Sequence, residues 1–245
     1  MSSAHQQAEV KLSVKRGCSD EVRSLAANIS CQVIFELAIL AELRDSSVNK
    51  VIYVCPTRSL CNERVADWKR RFPAVGMNVI EYTGEAASKN TTEKAEIADL
   101  ARARLIVTTP EKMDQLTRRD DNHRHISNTG LVCLDEIHSV SSDVRGPVLE
   151  VLVSRMRKIT KARFVCVSAT IPNSADVAKW IGNRDELHGS ARLYNFGEET
   201  RPCKLKRFAV GVSKGQGTND FAFTNGLNFK VTALLSSIRS PKHGR

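Results

Sequence analysis

Residues 131–140 read LVCLDEIHSV, an apolar run that stops at two adjacent carboxylates, Asp135 and Glu136, with His138 two places on. A buried strand that ends in acids delivers carboxylates to the edge of a sheet, where they can do catalytic work. The competing reading is an exposed turn or helix start, with His138 as a partly buried polar residue. Four other short apolar runs end in the same way. PTRSL (56–60) follows KVIYVC, TGE (83–85) follows MNVIEY, TTPEK (108–112) overlaps the end of ARLIVTT, and SAT (168–170) closes RFVCVS. Ligands of parallel α/β sheets bind beyond the carboxyl ends of the strands, so these five stretches are where chemistry would sit. Arg58 and Lys112 also read as solvated charges, and Thr109 as the cap of a helix opened by Pro110.

The elements that must position these groups follow from periodicity. QVIFELAILAELR (32–44) carries its apolar residues on a helical stripe, and SLCNERVADWKRRF (59–72) is amphipathic up to Pro73. Short β-branched runs at 50–55, 77–82, 103–109, 131–134 and 163–168 read as buried strands, and PVLEVLVSRMRKI (147–159) as a helix with proline at its tolerant first turn. Strands buried on both faces and separated by helices predict an α/β fold, a doubly wound, mostly parallel sheet covered on two sides. RRDDNHRHISN reads as a polar loop without metal-ligand spacing, and the first thirty residues carry no strong strand signal. CKLKRFAVGV (203–212) is a candidate strand and FKVTALLSSIR (229–239) a candidate helix.

Composition narrows the partners. The 245 residues carry 37 Lys+Arg against 27 Asp+Glu, a net charge of +10 that favours a polyanion. Aromatics at 5% argue against stacking as the dominant mode of contact. No stretch approaches the length of a membrane span, and no basic segment leads into an apolar core at the N-terminus, which argues against membrane and secretory roles. Seven cysteines form no CxxC pair; Cys55, Cys133 and Cys166 lie in apolar runs, as free thiols of a reducing compartment do.

Taken in order, PTRSL, TGE, TTPEK, DEIH and SAT resemble the first RecA-like domain of superfamily-two DExH-box helicases. VIFELAIL, RGPVLEVLVSRM, VSATIPNSADVAKWIG and RPCKLKRFAVGV resemble the Ski-type branch, and within it the Mer-type meiotic crossover DNA helicases. The resemblance implies ATP and Mg²⁺ as cofactors, with Asp135 holding the metal and Glu136 orienting the attacking water. It implies that His138, Ser168 and Thr170 link nucleotide state to the strand-binding face. Pro56, Thr57, Arg58, Thr83, Gly84, Thr109 and Lys112 would line a track for single-stranded or branched DNA, with RNA open because such a track reads backbone. A nuclear location follows from the same resemblance.

The family's phosphate cradle, GxxxxGK[ST], should precede VIFELAIL directly. The sequence there is SLAANISCQVIFELAIL, which puts Cys31 in place of the lysine and Gln32 in place of the Ser/Thr, with no glycine between Gly17 and Gly76. Cysteine supplies no cation, and without glycine the tight phosphate-facing turn is disfavoured. The expected organisation is therefore an atypical segment over 1–31, a partial RecA-like domain over 32–200 whose central phosphate-loop strand is not recognisable, and a connection toward a second such domain over 201–245. Truncation, alternative assembly of the gene product and a faulty gene model would each account for the break, and the expectation for this chain by itself is negligible ATP hydrolysis and no unwinding. The alternatives are a non-catalytic nucleic-acid- or partner-binding module and a fragment of an RNA helicase.

Overall fold

The computed structural model describes residues 10–12, 31–44, 50–72, 78–84, 93–169, 171–182, 189–196, 211–215, 217 and 219–239. The chain divides into two compact units, residues 1–204 and 205–245. In the first unit β2 (Lys50–Val54), β3 (Val79–Tyr82), β4 (Leu105–Thr108), β5 (Thr129–Leu134) and β6 (Arg163–Cys166) form one sheet in the order β3-β4-β2-β5-β6. All four pairings are parallel. Parallel neighbours need crossovers, and helices supply them: α2 (Arg58–Arg71), α3 (Glu93–Arg102), α4 (Pro110–Thr117), α5 (Asp120–Ile126) and α6 (Gly146–Ile159). α1 (Cys31–Arg44) precedes the sheet and α7 (Ser174–Ile181) follows it.

Alternation along β2 explains the two-sided core. Val51 and Tyr53 face one layer, with Phe35 and Ile39 of α1 and Val65 and Trp68 of α2. Ile52 and Val54 face the other, with Met113 of α4, Leu152 and Met156 of α6 and Ile181 of α7. On the first side Phe35, Tyr53 and Trp68 meet edge to face at centroid distances of 5.0 and 4.9 Å. Cys55, Cys133 and Cys166 are buried free thiols, packed as the small hydrophobes that their apolar runs indicate. Burial pushes Cys133 up and Cys166 to about 12, so neither ionises near neutrality.

Two groups that look exposed in the sequence are built into the interior. Lys50 is 3% exposed, and its ammonium donates to the carbonyls of Leu100, Ala101 and Ala103. These are the unsatisfied acceptors at the C-terminus of α3, where a cation also meets the negative end of the helix dipole. Glu36 of α1 is 4% exposed and accepts from Trp68 Nε1, Gln32 Nε2 and both terminal nitrogens of Arg71. That network ties α1 to α2.

The helix α5 stands where a polar loop was expected. Asp120 and Asp121 occupy its first turn, and His123, Arg124 and His125 its last, the polarity that a helix dipole favours, while Ile126 is buried as its anchor. A short antiparallel pair also escaped the sequence pattern. β1 (Val10–Leu12) pairs with β7 (Tyr194–Phe196), each only three residues long. The candidate strand at 203–212 lies outside the described residues except at its end. In the second unit α8 (Asp220–Arg239) begins nine residues before the expected helix, with Asn219 Oδ1 accepting from Ala222 N at 2.7 Å as its cap. No helix among the described residues is long and apolar enough to cross a membrane.

Candidate functional site

The carboxyl ends of the strands are held in register by continued ladder hydrogen bonds. Asp135 N donates to Val54 O at 3.1 Å, Cys55 N to Thr108 O at 2.8 Å and Ile137 N to Val167 O at 3.1 Å. These bonds bring the ends of β2, β4, β5 and β6 together, and with them four of the five polar motifs.

At the end of β5 both oxygens of Asp135 are engaged. Oδ2 accepts from the Tyr53 hydroxyl at 2.7 Å and Oδ1 from Glu136 N at 2.9 Å. Burial and the neighbouring Asp135 push the Tyr53 phenol far above its ordinary range, so this hydroxyl stays a donor at any physiological pH. Glu136 turns the chain with φ 53° and ψ 49°, the one left-handed non-glycine residue among those described. Such a backbone is disfavoured for a residue with a Cβ. Here it is held by the bond to Asp135 and by Ser139, whose N–H and hydroxyl donate to Glu136 O at 3.0 and 2.8 Å. The turn sets His138 Nδ1 3.0 Å from Glu136 Oε2 and 3.4 Å from Ser168 Oγ. Glu136 and His138 are partly exposed, whereas Ser168 is buried. Thr170 lies outside the described residues.

Beside this turn lies an open cleft of about 510 Å³ lined by Pro56, Thr57, Arg58, Ser59, Gly84, Thr109, Glu111, Lys112, Gln115 and Arg145. It gathers six of the seven residues singled out for a strand track. Two serve the fold as well. Thr57 caps α2, its Oγ1 accepting from Leu60 N at 3.4 Å, and Thr109 caps α4, its Oγ1 accepting from Lys112 N at 3.5 Å, with Pro110 at the first turn. The capping reading of Thr109 is thus met at the rim of the cleft. α6 also begins here, with Arg145 at its N-cap position. Two helix N-termini, those of α2 and α4, thus lie on one cleft with the partial positive charge of their first turns, and the N-cap residue of α6 lines it as well. Gly84 packs against Arg58: an added Cβ would stand 3.0 Å from its Nη2. The Lys112 ammonium lies 4.7 Å from the Tyr82 ring centroid and 3.8 Å from Glu96 Oε2.

Thr83, the seventh, is buried and donates its hydroxyl to Glu81 Oε1 at 2.6 Å. Gln32 directs its amide to Glu36 Oε1 at 2.9 Å and Asp67 Oδ2 at 3.5 Å. The cleft adds Ser59, Glu111, Gln115 and Arg145 to the residues chosen from sequence. Glu111 and Arg145 lie inside TTPEK and next to the glycine of RGPVLEVLVSRM, so the motifs pointed to them without saying which way they face.

The parallel five-stranded sheet, with its acidic turn and helix-rimmed basic cleft at the carboxyl edge, has the α/β RecA-like fold of solved helicase structures. Residues 33–177 match the family described as DEAD/DEAH box helicase, and the chain belongs to that family. It is 34% identical over 226 residues to the "Probable ATP-dependent DNA helicase HFM1" of Mus musculus, covering 86% of this chain and 15% of that protein. It is 39% identical over 210 residues to the "ATP-dependent DNA helicase MER3" of Saccharomyces cerevisiae, covering 83% and 17%. The "RQC trigger complex helicase SLH1" of the same yeast is 35% identical over 185 residues, which places the chain in the Ski-type, Mer-like part of the family. The chain spans about a sixth of the length of the HFM1 and MER3 relatives. In fold it is similar to the "DUF1998 helicase MrfA bound to DNA", with a TM-score of 0.51 and 18% identity over 62% of this chain and 22% of that one.

Proposed function

We propose that this chain is part of an ATP-dependent 3′–5′ DNA helicase of the meiotic recombination type, nuclear in location. By itself it binds single-stranded or branched DNA without hydrolysing ATP or unwinding. Residues 32–200 act as a partial first RecA-like domain and 201–245 as the connection toward a second, with 1–31 replacing the usual phosphate-loop region. The observation that carries the reading is the cleft. Arg58, the capping hydroxyls of Thr57 and Thr109 and the N-termini of α2 and α4 converge there, a set suited to successive phosphate oxygens, with Arg145 beside them.

The nucleotide end fits the family's cofactors on one side. Asp135 offers the single carboxylate that Mg²⁺ takes alongside water and phosphate oxygens, and Glu136 stands beside it to orient water. When bound, the ion would supply charge neutralisation at the phosphates. On the phosphate side the fit fails. Cys31 and Gln32 supply neither cation nor hydroxyl, and the Gln32 amide is engaged with Glu36 and Asp67. No hydrolytic step is therefore assigned to the chain alone. His138 and Ser168 bridge the acidic turn and the end of β6, a route by which the two faces would communicate in the whole protein.

The test pairs equilibrium Mg-ATP binding with fluorescence anisotropy of a labelled dT oligonucleotide. Single-stranded DNA is expected to bind at low salt, to weaken steeply as salt rises, and to bind less tightly to Arg58→Ala. An RNA strand of the same length is the comparison ligand, because backbone contacts do not read the base. Micromolar Mg-ATP affinity with turnover abolished by Glu136→Gln would overturn the inactivity. Absence of salt-sensitive DNA binding would overturn the track.

A further inference from the structure

Arg145 sits where three elements meet. Its Nη1 donates to Pro56 O at 2.7 Å, in the loop after β2, and its Nε lies 3.6 Å from Glu111 Oε1, in the first turn of α4. It occupies the N-cap position of α6 without a side-chain cap bond of its own. Its place is fixed from behind. Gly146 N donates to Ser142 O at 2.8 Å, and a Cβ at Gly146 would stand 2.2 Å from Val140 O, so only glycine lets α6 start this close to the turn that carries His138.

Glu111 poses a problem that Arg145 resolves. An acid in the first turn suits the α4 dipole, yet this one lines the cleft in which the proposed ligand is a polyanion. Arg145 and Glu111 are each more than 40% exposed, so their pairing adds little to folding stability. Its consequence lies in the charge that the cleft presents.

We infer that Arg145 is a positioning residue of the strand cleft: it neutralises Glu111 and pins the Pro56 carbonyl, so that Thr57 and Arg58 meet phosphate in a cleft of net positive charge. This rests on the strand-binding reading above. Left unpaired, Glu111 would face phosphate a few ångströms away, a repulsion that weakens binding about tenfold. The same carboxylate explains why removing it should undo the loss.

The experiment is anisotropy of a fluorescein-labelled dT oligonucleotide across a salt series, with the full chain and with Arg145→Ala, Arg145→Lys, Glu111→Ala and the Arg145→Ala/Glu111→Ala double variant. Arg145→Ala is expected to weaken binding about tenfold, and the double variant to recover most of that on a logarithmic scale. Glu111→Ala alone should bind at least as tightly as the unmodified chain, and Arg145→Lys, which keeps the cation, within about threefold. If Arg145→Ala loses its circular dichroism, Glu111→Ala and Arg145→Lys carry the test, and Glu111→Ala binding more weakly than the unmodified chain refutes the inference. Binding of Arg145→Ala within twofold of the unmodified chain refutes the inference. So does a double variant as weak as Arg145→Ala with a salt slope reduced by about one, the mark of a direct phosphate contact. No binding by the unmodified chain overturns the strand-binding reading and this inference with it, an outcome separable from the other two.

Discussion

Replacing Glu36 with alanine is expected to loosen α1 from the sheet. Four donors converge on this carboxylate: Gln32 Nε2 at 2.9 Å, Trp68 Nε1 at 3.2 Å and Arg71 Nη1 and Nη2 at 2.5 and 2.7 Å. The Glu36 side chain is 5% exposed and that of Arg71 is 43% exposed, so the two ends of the pair respond differently to the change. Arg71 can turn to water and to Asp67, which it already meets at 3.1 Å. Trp68, fully buried, cannot, and an indole N–H left without an acceptor costs about 1–3 kcal/mol. Loss of the bidentate charged bond brings the total to about 3 kcal/mol, the low end for breaking a buried pair because Arg71 is rehydrated. For a chain of this size that is a fall in Tm of about 6–12 °C. Glu36→Gln keeps an acceptor for Trp68 and should lose less than half as much. Urea denaturation followed by tryptophan fluorescence measures both. A Glu36→Ala loss below about 1 kcal/mol, or equal losses for Ala and Gln, would refute the reasoning.

Other substitutions probe the frame of the site. Lys50→Met should destabilise by about 2–3 kcal/mol in the same denaturation, because the carbonyls of Leu100, Ala101 and Ala103 lose their shared donor; a neutral result would mean that water replaces it. Gly146→Ala forces a Cβ against Val140 O and should cost at least about 1–3 kcal/mol of stability, with hydrogen exchange rising first across the turn at 137–141. Tyr53→Phe removes the donor to Asp135 Oδ2 with little change in volume and should lower stability by about 1 kcal/mol, read as a shift in the urea midpoint.

Much of the fold was legible in the sequence, because its signals are local. Five β-branched runs separated by amphipathic stretches indicated a doubly wound parallel sheet, and each run ended where a polar motif began. Period-two and helical patterning are properties of neighbouring residues, so the strands needed no tertiary information. α5 was missed because its helical signal is a charge gradient with a single buried anchor, Ile126. β1 and β7 were missed because three-residue strands carry no period.

The site divides along the same line. The order of PTRSL, TGE, TTPEK, DEIH and SAT pointed to the family, and the reading of Cys31 and Gln32 at the phosphate-cradle positions set the expectation about activity. Tertiary structure decided which of those residues share a cleft and what else joins them. Tyr53 reaches Asp135 across 82 residues of chain, and Arg145 reaches Pro56 across 89. Thr83 turned inward to Glu81, while Thr57 and Thr109 became helix caps at the rim of the cleft. Contacts at such separations depend on the register between strands and the approach of one helix to a turn. Gly146 records the second of these in the sequence, but its meaning appears only when Val140 O is found against it.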